Sequence, residues 1–128
     1  MDEGFFAFNY QGVLGFGTGC LCLEKGHVAG FDFLRAQYDG VYKRNDDLTY
    51  TMDIGVYFPE GAMLVTGVKA PQDSVTLSGH LPIKFWTGVP FLFKGYGGVV
   101  QVSMIWMRSL GFPPAPQGST RSARANQL

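Results

Sequence analysis

Between Gly4 and Leu110 the apolar residues recur with a period of two, and no window of about 11 residues carries a helical stripe at 3.6. That alternation predicts extended segments almost from end to end. Phe5-Phe6-Ala7-Phe8-Asn9-Tyr10 opens a strand over Gly4–Gln11, strongly β-prone and apolar on both faces. Gly12, Gly15 and Gly17 then read as breaks, and strands follow at Thr18–Glu24, His27–Phe33, Ala36–Lys43 and Leu48–Val56. Phe58-Pro59-Glu60-Gly61 reads as a connection or a single helical turn. Met63–Val68 is a candidate strand, Ser74–Leu81 a clearer one, and Gly98–Leu110 the longest. Pro82–Gly98 is aromatic but interrupted by Pro82, Pro90 and glycines, and carries no strand expectation.

About eight short strands at this spacing predict an all-β fold, a sandwich or a barrel. With only 16% of residues charged, a long exposed sheet edge would invite aggregation, which favours closure. The expectation is a small antiparallel lipocalin-like β-barrel with little helix. At 128 residues the chain has room for one such domain, residues 1–111. Residues 112–128 begin with Phe112-Pro113-Pro114-Ala115-Pro116, turn polar and read as a flexible C-terminal tail.

Ten basic and ten acidic residues cancel, so no general affinity for nucleic acid is expected. No apolar run of about 18 residues could span a bilayer, and Met1–Ala7 carries acids where a signal peptide carries bases. A cytoplasmic protein with no membrane partner is the expectation.

Hairpin parity can be read directly. A two-residue loop at Lys25-Gly26 pairs Glu24 with His27, Leu23 with Val28 and Leu21 with Gly30. Around Arg44–Asp47, Tyr42 must share a face with Tyr50 and Gly40 with Met52, which demands an odd loop, for example Asn45-Asp46-Asp47 closed by Arg44 and Leu48. The polar tip then projects into solvent.

Several strands have too many apolar residues for one buried face. The last strand sets Val100, Val102, Met104 and Trp106 against Val99, Gln101, Ser103, Ile105 and Met107. Leu21 and Leu23 oppose Cys20 and Cys22, and Val28 opposes Ala29 and Phe31. A second apolar surface of this kind marks an interaction site. A homodimer is expected, with Val99, Ile105 and Met107 as candidate seam residues, unless Pro82–Gly98 folds back as a cover.

The chemical motifs are sparse. Cys20 and Cys22 point to one side of a strand, about 6–7 Å apart, and neither His27 nor His80 has ligand spacing to them, so no metal and no cofactor is expected. Asp32, Asp39 and Asp53 are the carboxylates that burial could turn into a general acid, yet no Ser/His/Asp order or GxSxG elbow accompanies them, and no enzyme is expected. Gly12-x-x-Gly15-x-Gly17-x-Gly19 lacks the Lys-Ser/Thr ending of a phosphate loop. The inward set Tyr38, Tyr42, Tyr50, Met52, Leu77, Met104 and Trp106 is a candidate cavity lining for a small apolar ligand, with Gly40 and Gly79 leaving local gaps.

Gly17-x-Gly19, Lys25-Gly26, Gly30-x-Asp32, Tyr38-x-Gly40, the acid-tipped hairpin and Val75-Thr76-Leu77-Ser78-Gly79-His80 together resemble a family of small bacterial regulators. It is the GrlR-like family, typified by the repressor of type III secretion genes in enteropathogens. The likeness covers most of residues 4–110. It implies a dimeric lipocalin-like barrel with an apolar cavity and a negative regulator that binds a transcriptional activator directly. It also implies that an acidic run on an exposed hairpin takes part. The matching positions are Arg44, Asn45, Asp46 and Asp47, of which Asp46 and Asp47 keep the acid. The resulting expectation is a non-enzymatic binding protein with Arg44–Asp47 as partner contact, the alternative being a carrier of a small apolar ligand.

Overall fold

The computed structural model describes residues 2–12, 15–58, 74–95 and 97–111. Its elements are β1 (Gly4–Gly12), β2 (Gly15–Glu24), β3 (His27–Asp32), β4 (Gln37–Arg44), β5 (Tyr50–Tyr57), β6 (Ser74–Leu81), β7 (Phe91–Gly95) and β8 (Gly98–Arg108). Each strand runs antiparallel to the next, and β8 returns to β1, so the sheet closes into an up-and-down barrel. Closure pairs the edges that a sparsely charged chain could not leave exposed. The tail from residue 112 and the Met63–Val68 segment lie outside the described residues.

Two expectations about strands are corrected. Gly15 and Gly17 are not breaks, because β2 already begins at Gly15 and pairs with β1 as far as Gly12. Phe91–Gly95, with no strand expected, is β7, placed between β6 and β8 by Leu77↔Gly95 on one side and Phe91↔Val102 on the other. Pro90 immediately before it donates nothing to the ladder, as the start of a strand allows.

Alternation puts Phe6, Phe8, Leu21, Leu23, Val28, Tyr38, Met52, Ile54, Val56, Phe93, Val102 and Met104 inside. An eight-stranded barrel is just wide enough for side chains to fill. The filling follows a rule of opposites, with an inward glycine beside a large side chain on the neighbouring strand. Tyr10 covers Gly17, Phe8 covers Gly19, Ile54 covers Gly40, Phe93 covers Gly79 and Leu77 covers Gly95. Gly40 and Gly79 are therefore not the gaps expected of them. Their missing side chains make room for a neighbour.

The two ends of the barrel differ. At the lower end the β2–β3 turn is Lys25-Gly26, both residues at positive φ (48° and 84°), which identifies a type I′ turn. Glu24↔His27, Leu23↔Val28 and Leu21↔Gly30 pair as the sequence demands. The β4–β5 turn also lies here. Segment 82–90 brings Phe85 into the barrel floor, fully buried against Phe6, Tyr50 and Trp86, with centroids 5.7, 5.0 and 5.1 Å away. The same segment donates Gly88 N to Met104 O and accepts Trp106 N on Trp86 O, extending the sheet beside β8 where β7 has ended. So the Pro82–Gly98 region is partly a plug and partly a wall, not a cover over the outside. At the upper end the β3–β4 turn spans Phe33–Ala36, held by Asp32 N to Ala36 O and Arg35 N to Asp32 O.

Candidate functional site

Parity at the β4–β5 hairpin holds, since Tyr42 and Tyr50 share the inner face. The register is two residues longer than the one exemplified: Arg44 pairs with Tyr50, not Leu48, and Tyr42 with Met52. The loop is therefore Asn45–Thr49. Side chains set this length. Asn45 Nδ2 donates to Thr49 Oγ1 (3.1 Å) and Thr51 Oγ1 (3.2 Å), while Asp47 Oδ1 accepts from Thr49 N (3.1 Å) and Thr49 Oγ1 (2.5 Å). Leu48 takes a positive φ of 69° so that its N–H reaches Asn45 O. The four expected partner-binding residues thus divide in two. Asn45 and Asp47 build the turn, and the Thr49 bonds hold the Asp47 carboxyl below its ordinary pKa. Arg44 and Asp46 are exposed and present a cation and an anion at the tip.

The outer wall has two characters. Over β4–β6 it carries Lys43, Asp39, Asp53, Thr76, Ser78 and His80, with Ser78 Oγ bonded to Asp53 Oδ1 at 2.5 Å. Over the middle of β8–β1–β2–β3 it is uncharged, because the ladder aligns Ile105, Ala7, Cys20 and Phe31 in one lateral row and Phe5, Cys22 and Ala29 in the next, while Arg108 opposite Phe5 and Glu24 at the end of β2 charge its lower margin. Of the expected seam residues, Ile105 lies in the first row. Met107 lies at the register shift opposite Phe5 and Phe6, on the same wall. Val99 is exposed too, but six residues up β8, about 20 Å away by the strand rise, beside Lys94. The structure brings Ile105 and Met107 together with Ala7 and Phe5 and leaves Val99 apart.

Cys20 and Cys22 are half-buried free thiols on that wall, and burial pushes both pKa values up, which disfavours the reactive thiolate. Cys22, Glu24, Lys25, His27 and Ala29 line a shallow depression of about 240 Å³. Among the described residues no group of three or more His, Cys, Asp or Glu is placed to hold a metal ion.

Of the three candidate acids only Asp32 is buried, at 4% exposure. Its Oδ1 accepts Leu34 N (2.9 Å) and Ala36 N (3.1 Å), and its Oδ2 accepts Tyr38 Oη (2.7 Å) and Tyr10 Oη (3.2 Å). Four donors occupy both carboxylate oxygens. Asp32 is thereby a staple across β1, β3 and β4. Burial first, and then the Asp32 charge and hydrogen bond, push the Tyr10 phenol up to about 12.

The candidate cavity residues Tyr38, Tyr42, Tyr50, Met52, Leu77, Met104 and Trp106 all face inward. At the lower end Tyr50 Oη donates to Asp2 Oδ2 (2.8 Å) and Trp106 Nε1 to Glu3 O (2.9 Å), so the N-terminal residues help close the floor. Sequence reasoning missed Phe85, whose signal was an aromatic between two prolines. It also missed the exposed Phe16 on β2, and Phe33 and Leu34 in the β3–β4 turn, where bulky apolar residues stand in place of the usual polar ones.

Together these features define an eight-stranded antiparallel barrel with a polar hairpin tip and one outer wall whose centre is uncharged. No protein-family model and no curated protein matches the chain. No helix among the described residues is long and apolar enough to cross a membrane.

Proposed function

We propose that this chain is a dimeric binding protein, a negative regulator that sequesters a protein partner through the tip between β4 and β5. The observation that carries the reading is the uncharged wall built from Ile105, Ala7, Cys20 and Phe31 on four adjacent strands, beside a polar wall on β4–β6. An apolar patch that crosses four strands stabilises association when a like surface covers it. The wall is the seam of the proposed homodimer, with Ile105 and Met107 at its margin. Arg44 and Asp46 remain outside it, at the lower end, available to a second protein.

The regulatory part of the reading is supported by the GrlR-like resemblance, with which a closed eight-stranded barrel is compatible. A transcriptional activator is the kind of partner that the resemblance implies. Carriage of an apolar ligand draws no support from Gly40 and Gly79, whose space Ile54 and Phe93 occupy.

Light scattering at micromolar concentration should give twice the chain mass of 14.0 kDa, and Ala7→Glu with Ile105→Glu should return it to the monomer. A monomeric native chain would overturn the seam. For the tip, a protein recovered from the native cell and rebound in purified form should be lost with Arg44→Glu/Asp46→Lys. These substitutions reverse the Arg44 and Asp46 charges and leave the Asn45 and Asp47 bonds intact. Unchanged rebinding removes the tip from the reading.

A further inference from the structure

Among the described residues the two ends of the barrel carry opposite chemistry. The lower end gathers the exposed ionic residues Glu3, Glu24, Lys25, Arg44, Asp46, Asp47, Lys84 and Arg108 around its turns. At the upper end the β3–β4 turn is Phe33-Leu34-Arg35, and Phe16 stands on the adjoining outer face of β2. These three apolar side chains are the most exposed among the described residues, at 82% for Phe16, 72% for Phe33 and 68% for Leu34. They form one rim. Phe33 N bonds Thr18 O, which places Phe33 diagonally beside Phe16 on the same side of the sheet.

The rim is also rigid. Asp32 Oδ1 holds Leu34 N and Ala36 N, Asp32 O holds Arg35 N, and Arg35 takes a positive φ of 73°. A buried carboxylate with four donors is thus spent on presenting a Phe-Leu pair outward. Hydrophobic collapse alone would not favour that orientation, since each side chain loses its burial. Tyr57, half-exposed at the same end of β5, adds an amphipathic ring of the sort that favours a membrane–water interface.

We infer that the upper rim, Phe16, Phe33 and Leu34 flanked by Arg35, seats the barrel end-on against an anionic lipid surface. The charges select this occupant. The exposed ionic groups nearest that end among the described residues are Arg35 and Lys94, both cationic. Among the described residues the closest exposed carboxylate there, Asp39, sits two residues inside β4 on the outer wall. Apolar knobs on a convex rim enter an acyl boundary singly, and the cations meet the headgroups; that is a protein lying on a bilayer, not crossing it. The contact departs from the sequence expectation of no membrane partner, which rested on the absence of a spanning segment. It is independent of the tip, which faces away from the lipid at the opposite end.

Flotation with vesicles of phosphatidylcholine mixed with phosphatidylglycerol tests this, with pure phosphatidylcholine as reference, at low ionic strength. The native chain should float with the mixed vesicles, and added salt should reduce the bound fraction. Phe33→Ser and Leu34→Ser should each weaken binding about tenfold while leaving the melting temperature unchanged, because both side chains are already in water. In a Phe33→Trp variant the new indole should shift its emission to the blue on mixing. Native Trp86 and Trp106, at the lower end, should not. A native chain that stays off the mixed vesicles, or a serine variant that floats equally well, overturns the inference. So does a serine variant that changes the oligomeric state in the absence of lipid, which would assign the rim to a second copy.

Discussion

Phe93 lies across Gly79 on the neighbouring strand, with ring atoms 2.8 Å from where a Gly79 β-carbon would stand. The glycine is the space that the aromatic occupies. The β6–β7 ladder is short, pairing only Leu77–Gly79 with Phe93–Gly95, so this contact secures much of that seam.

Gly79→Ala should therefore destabilise the barrel by about 1–3 kcal/mol, the usual cost of overpacking a filled core. Urea unfolding would read it as a lower midpoint at constant slope. A side chain smaller than Phe at position 93 should recover part of the loss in the double variant, since the clash is with the ring.

Phe85 fills the floor of the barrel among Phe6, Tyr50 and Trp86. Phe85→Ala should cost about 3–5 kcal/mol, because transfer and cavity terms add at a fully buried site. The same variant should take up a small aromatic such as benzene, raising its melting temperature in proportion to the ligand's affinity. Phe85→Leu should cost less and bind less.

High pH should open the barrel before it affects the tip. Burial, reinforced by Asp32 for Tyr10 and by Asp2 for Tyr50, raises both phenols from 10.0 to about 12, and burial and the Asp32 hydrogen bond also push Tyr38 up. The folded state holds these protons more tightly than the unfolded chain. Their contribution is complete below pH 10 and is lost as pH climbs toward about 12. Tyrosinate absorbance should show these phenols titrating together with loss of the fold. Tyr10→Phe should lower stability below pH 10, since the bond to Asp32 is lost, and make the decline above pH 10 shallower, because it deletes a proton that the folded state holds.

The tip should separate structure from recognition. Asp47→Ala removes the acceptor for Thr49 N and Thr49 Oγ1 and should lower the melting temperature and loosen the Asn45–Thr49 turn in amide exchange. Asp46→Ala, at an exposed position, should leave both unchanged. The Asp47 contribution should be present at neutral pH and fade on acidification, since the folded carboxyl titrates below its unfolded value of 3.8.

Local alternation made the strands, the inner set and the Lys25-Gly26 register readable from the amino acids alone. A period of two and a turn length need only neighbours in the chain. The β4–β5 loop shows where that reading ends: parity demanded an odd loop, but Asn45 and Asp47 side-chain bonds chose five residues where three also satisfied parity. β7 stayed hidden because its five residues, Phe91–Gly95, carry too little pattern and take their strand character from β6 and β8.

The amino-acid order by itself determined an extended chain with apolar side chains on alternate positions and a surplus on the outside. Only the tertiary structure decided what the surplus and the glycines meant. Lateral neighbours such as Ala7, Cys20 and Ile105 meet through one hairpin register and the β8–β1 closure, and Asp32 found Tyr10 over twenty residues away in the chain. Which glycine faces which ring, and which turns share an end, are properties of the closed ladder: each strand's neighbours are set by all the others.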